Sequence, residues 1–180
     1  MLNITIPKSE QWDEINQEFV YVKEQNLQLE HSLVSLSKWE SKWCKPFLSK
    51  EDKTLEETTD YIRCMTITQN IDSKVYNYIP DSVIEEVYKY IDLPMTATRF
   101  TEQERGRNNG EQVTAELIYY WMIALNIPME CQKWHLNRLL TLIKVCSIKN
   151  QPPKKMSKRQ IMSNNAALNA SRRKMHNTKG

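Results

Sequence analysis

Proton transfer near neutral pH, thiol nucleophilicity and soft-metal binding need histidine or cysteine, and this chain offers His31, His135, His176, Cys44, Cys64, Cys131 and Cys146. Only Cys131 and His135, four residues apart, can share one helical face, and such a pair is half of a zinc site whose other ligands would have to come from distant segments. No C-x-x-C, H-E-x-x-H or G-x-S-x-G occurs. Each cysteine has apolar or aromatic neighbours, as in Trp43-Cys44 and Val145-Cys146. That setting predicts reduced, mostly buried thiols, with neither a disulfide framework nor a metal. The carboxylates Glu51, Asp52, Glu56, Glu57 and Asp60 stand close enough for acid–base work. Their place at the start of an apolar-periodic stretch fits the first turns of a helix better, where the dipole favours negative charge.

Glycine is scarce. Gly106, Gly110 and Gly180 cannot build a P-loop or a dinucleotide fingerprint, which need glycines where backbone meets phosphate. No enzyme and no cofactor is expected.

The chemistry that is left is electrostatic. Residues 1–130 hold 13 Lys/Arg against 22 Asp/Glu, a net of −9, whereas residues 131–180 hold 12 Lys/Arg and no acid, a net of +12. Lys154, Lys155, Lys158, Arg159, Arg172, Arg173 and Lys174, with Lys179, make the C-terminal end an electrostatic dock for an acidic partner. Residues 151–180 contain no Phe, Tyr or Trp, so bases have nothing to stack on. Nucleic acid is therefore the less favoured partner, bound only by sequence-independent, salt-sensitive contact. The aromatics Trp39, Trp43, Trp121, Trp134, Tyr119 and Tyr120 read first as core. Trp39 and Trp43, four apart and flanked by Lys38 and Lys42, are also candidate apolar anchors for a partner.

These side chains must be carried by a mainly helical frame. Leu2-Asn3-Ile4-Thr5-Ile6 alternates up to Pro7, Phe19-Val20-Tyr21-Val22 is β-prone, and Leu27 to Glu30 alternates again. A small antiparallel sheet of two or three strands is expected, packed on helices. A short amphipathic helix carries Trp39 and Trp43 and ends near Pro46. Thr54-Leu55-Glu56-Glu57 and Ser82-Val83-Ile84-Glu85 read as capping boxes that open two further helices, the second stopped by Pro94. Thr101 to Gln112 reads as a polar loop. Ala115 to Leu125 is apolar nearly all round, as in a buried central helix, and Leu136, Leu139, Leu140, Ile143 and Cys146 line a second one. A helical hairpin bent at Asn126-Ile127-Pro128 is expected. After the Asn150-Gln151-Pro152-Pro153 linker, Ser157 and Gln160 open a last helix from Lys158 to about Lys174. Its apolar residues are sparse, so it should project as an arm.

Met1 to Pro7 lacks a basic n-region and an apolar core, so no signal peptide is expected. The longest apolar run, 117–125, falls short of the ~18–20 residues a membrane span requires.

Three stretches carry a family likeness: Ser35 to Trp43; Leu117 through Trp134-His135-Leu136-Asn137-Arg138-Leu139-Leu140; and Pro152-Pro153-Lys154-Lys155-Met156. Together they resemble small proteins encoded ahead of the tape measure gene in long-tailed bacteriophages of Gram-positive hosts. The resemblance implies a tail assembly chaperone, which coats the long, helical, aggregation-prone tape measure protein until tail tube subunits polymerise around it. It implies action in the host cell cytoplasm, with the tape measure protein as client, the tail tube protein as a further partner, and no membrane. It transfers no binding residue by motif.

The expectation is thus an α+β, mainly α protein. A small N-terminal antiparallel β element packs on a helical bundle over 1–150, and a basic helical arm follows over 151–180. Its work is non-enzymatic client binding by Trp39, Trp43 and the basic arm, and a homo-oligomer is compatible with it. The alternatives are a basic nucleic-acid-binding phage protein and a structural virion component of the tail or head completion.

Overall fold

Alternation at the N-terminus builds the first ladder. In the computed structural model, which describes residues 1–13, 17–100, 112–151 and 157–178, β1 (Leu2–Ile6) pairs antiparallel with β4 (Gln25–Leu29). Ile4, Ile6, Leu27 and Leu29 point into the core, while Thr5 Oγ1 donates to Asn26 Oδ1 at 2.7 Å on the outer face. A second ladder joins β2 (Ser9–Asp13) to β3 (Glu18–Val22). Ile6 stands opposite Gln25 and Ser9 opposite Val22, so one register runs through both ladders and the four strands form one interrupted ribbon. The gap falls at Pro7-Lys8, opposite Lys23-Glu24. Proline has no N–H to give the ladder, and pairing stops there. The expected two or three strands are four, because β2 is too polar to alternate visibly.

The ribbon is tied to the helices along β4. Glu30 N donates to Met65 O at 2.9 Å, and Ile67 N donates to Gln28 O at 2.8 Å, so the chain leaving the second helix covers that edge.

Helix α1 (Leu33–Trp43) opens with a reciprocal Ser32–Ser35 capping box and ends where Cys44 turns left-handed at φ 51°. Helix α2 (Leu55–Met65) opens with the expected Thr54–Glu57 box and buries Tyr61, Ile62 and Met65. A 3₁₀ turn, Ser73–Tyr78, leads to α3 (Asp81–Asp92). The Ser82–Glu85 capping box does not form. The helix starts from Pro80, whose fixed φ suits that place, and Ser82 already lies inside it.

Helix α4 (Ala115–Ala124) is not buried all round. Ala115, Ile118 and Met122 face the core, while Tyr120 and Ile123 are exposed. It packs chiefly on α1. A 3₁₀ turn, Met129–Lys133, separates it from α5 (Leu136–Asn150), so a three-part arrangement replaces the expected hairpin. Leu136, Leu139 and Ile143 of α5 complete a core shared with β1, β4 and α1 to α4. The expected loop 101–112 lies outside the described residues except for Gln112.

The fold is α+β, mainly α. The chain divides into two compact units, Met1–Lys149 and Asn150–Gly180. The second contains α6 (Lys158–His176), opened by a Ser157–Gln160 capping box and closed by left-handed Asn177. Among the described residues, no helix is long and apolar enough to cross a membrane.

Candidate functional site

Trp39 is unavailable to a partner. It is 1% exposed, its Nε1 donates to Glu57 O at 2.8 Å, and its ring packs edge-on against Phe47 with centroids 5.1 Å apart. The spacing that suggested an anchor is the spacing that turns α1 toward α2, and Trp39 is core. Trp43, one turn on, is half-buried, and its Nε1 donates to Asp60 Oδ2 at 2.9 Å. It stacks on Trp39 with centroids 6.1 Å apart and works as a lid over the core.

The charged residues around this aromatic group serve the fold. Burial opposes ionisation of Asp60, but Lys42, Trp43 and Arg63 outweigh it and hold its carboxyl below the usual range. Lys42 Nζ and Arg63 Nη2 both reach Asp60 Oδ1 at 2.8 Å. The cleft of about 270 Å³ beside them is lined also by Glu56, Thr59, Lys74 and Tyr76, and the Lys42, Asp60 and Arg63 charges on its border satisfy one another. Glu57 bonds back to Thr54 N and pairs with Lys45 at 2.6 Å. Of the acidic cluster, Glu57 is thus helix cap and ion-pair partner, and Asp60 is the partner of two cations.

The histidines are structural too. His31 and His135 are buried edge to face, with ring centroids 5.1 Å apart. His31 Nδ1 meets Tyr61 Oη at 2.6 Å. Asn137 N donates to His135 Nδ1 at 3.3 Å, which leaves Nε2 to donate to Tyr90 O at 3.1 Å. Burial, then the neighbouring His135, push the His31 pKa down to about 3, and burial also lowers that of His135. Both rings are neutral near pH 7 and hidden from solvent. With both its nitrogens engaged, His135 has none to share with a metal alongside buried Cys131. Among the described residues no three His, Cys, Asp or Glu side chains converge as metal ligands. Of the other thiols, Cys64 and Cys146 are half-buried, whereas Cys44, expected to be buried, is exposed because it closes α1.

Helix α6 has a different character. Every residue of it is exposed. Lys158 and Arg159 sit in its first turn, and Arg172, Arg173 and Lys174 in its last turns, with no acid between. Lys154 and Lys155 lie outside the described residues. Cations in the last turn suit the helix dipole, whereas Lys158 and Arg159 oppose it, each at a cost of about 0.3–1 kcal/mol. Ile161, Leu168 and Met175 recur every seven residues, a narrow apolar line along one side.

Neither protein-family models, nor curated proteins, nor solved structures gave a match.

A second surface comes from the outer ladder and has no counterpart among the residues expected to bind. Trp12 and Phe19 are cross-strand partners whose rings meet edge to face at 4.9 Å, yet they are 51% and 57% exposed. Tyr21, on the same face, is 72% exposed, beside exposed Glu10. Val22 on the opposite face is buried. The sequence signal was present in the two aromatic-bearing stretches, but only the register puts their rings together.

Proposed function

We propose that this chain is a non-enzymatic assembly factor that grips an elongated, helical, acidic client through α6. The observation that carries the proposal is that helix: fully exposed, bearing five cations and no acid, and retaining cations at its N-terminal end where they cost stability. Such a helix lies along another helix by matching its apolar line to the client's stripe, while Lys158, Arg159, Arg172, Arg173 and Lys174 pair with flanking carboxylates. Joined to the family likeness of the sequence, this makes the client the tape measure protein of a long-tailed phage and the setting the host cell cytoplasm. The chain would hold the tape measure soluble until tail tube subunits enclose it.

Co-expression with the product of a long, helix-rich reading frame next to this gene tests the proposal. The intact chain should co-purify with that product, and Arg172→Glu/Arg173→Glu/Lys174→Glu should lose it. Equal capture by that variant, or tight binding of duplex DNA at moderate salt in a gel shift, would remove the client assignment. The DNA result would favour a nucleic-acid-binding protein in its place.

A further inference from the structure

The two exposed surfaces match each other. The outer ladder offers an aromatic face made by Trp12, Phe19 and Tyr21, within a stretch, 9–22, that contains Glu10, Asp13, Glu14 and Glu18 and no Lys or Arg. Helix α6 offers an apolar line within a stretch whose charged residues are all cationic. We infer that α6 of one copy docks on the aromatic face of the outer β-ribbon of a second copy, giving a head-to-tail self-association.

The dimensions agree. Ile161 and Leu168 lie about 10 Å apart along their helix, and Phe19 to Tyr21 covers about 7 Å of strand, so two side chains of the line can straddle the aromatic face. Lys158 stands one turn before Ile161, and Arg172 one turn after Leu168, which brings cations to both flanks of the line. Glu10, exposed beside Tyr21, is one partner for them. Exposed aromatics in a stretch whose charged residues are all acidic, meeting aliphatics in a stretch whose charged residues are all basic, make an interface with an apolar centre and a charged rim. Because the two patches differ, each copy keeps one of each to offer, and the contact propagates into rings or filaments. This contact does not rest on the client assignment. The two compete for α6, so an acidic client would release the neighbour.

Sedimentation velocity of the full chain, alone, at low and high salt and over a wide concentration range, tests it. Concentration-dependent association that weakens with salt is expected. Trp12→Ser/Phe19→Ser, which removes only exposed rings, should weaken association about tenfold or more with unchanged far-UV circular dichroism. Lys158→Glu/Arg172→Glu should do the same, and so should Glu10→Lys. Mixing Glu10→Lys with Lys158→Glu/Arg172→Glu should restore association between the two variants. A chain that stays monomeric at every concentration overturns the inference. So does association indifferent to the Trp12 and Phe19 changes, or burial of Trp12 that is independent of concentration, which would mean α6 folding onto its own ribbon.

Discussion

The carboxylate of Glu40 joins two segments far apart in sequence: its Oε2 accepts from the Ala115 amide at 2.7 Å and its Oε1 from the Phe47 amide at 2.8 Å. One buried side chain thereby fixes the chain leaving α1 and the first residue of α4, whose opening N–H groups have no partner within the helix. Glu40→Gln retains the shape but turns an NH₂ toward one of those amides, leaving that donor unsatisfied. The variant should lose about 1–3 kcal/mol, and Glu40→Ala, which abandons both amides, should lose more. Urea unfolding followed by tryptophan fluorescence measures the difference, and a neutral Glu40→Gln would mean the carboxylate is not what holds α4.

Acid should weaken the body before its carboxylates titrate. The folded state holds His31 and His135 neutral, with pKa values lowered from an ordinary 6.5, that of His31 to about 3. The unfolded chain takes up these protons as pH falls below about 6.5, while the folded chain does not. Stability is therefore intact above that pH and declines below it, by up to ~1.4 kcal/mol per pH unit for each ring, until the folded pKa is reached. Urea midpoints between about pH 7.5 and pH 5 should fall, and His31→Gln should flatten the curve. A pH-independent midpoint across that range would contradict the buried neutral pair.

Two tryptophans one turn apart should answer differently to the same change. Trp39→Phe removes one of two donors to Glu57 O, which keeps its helical partner within α2, and opens space, at about 1–3 kcal/mol, and Trp39→Ala should cost about 3–5 kcal/mol. Trp43→Phe removes one of three partners of Asp60 and leaves Lys42 and Arg63, so its cost should stay within about 1 kcal/mol. Equal losses at Trp39 and Trp43 in chemical unfolding would refute the assignment of one to the core and the other to its lid.

Helix stability and client capture should move in opposite directions at the start of α6. Lys158→Glu/Arg159→Glu places acids where the dipole favours them and preserves the Ser157–Gln160 cap. Far-UV circular dichroism should show unchanged or slightly higher helix content, while co-purification of the client falls. Capture that instead tracks helix content would show that the helix, and not its charge, does the gripping.

Much of this architecture could be read from residues alone, where a pattern repeats within one element. The alternation of β1, the Thr54–Glu57 box of α2, the apolar face of α5 and the Ser157–Gln160 box of α6 are local signals with local consequences. What escaped depends on distant partners. Strand β2 exists because β3 lies opposite it, since Ser-Glu-Gln-Trp-Asp has little strand character of its own. Glu40 reads as a solvated charge on an amphipathic helix, and nothing within α1 announces amides arriving from Phe47 and Ala115. Ser82 had the spacing of a cap, but Pro80 starts the helix first. Trp39 is core, as first read, whereas Tyr120, read the same way, is exposed: composition tells how apolar a helix is, and only its neighbours decide which side they cover.

The interruption at Pro7 divides the ribbon's unzipping into two separate events. With no pairing across Pro7-Lys8 and Lys23-Glu24, fraying of the β2–β3 ladder halts there, and the inner rungs beside the core are spared. Amide protons of β2 and β3 will therefore trade with solvent on a faster clock than those of β1 and β4. The aromatic end can open and re-form while the rest of the protein stays shut.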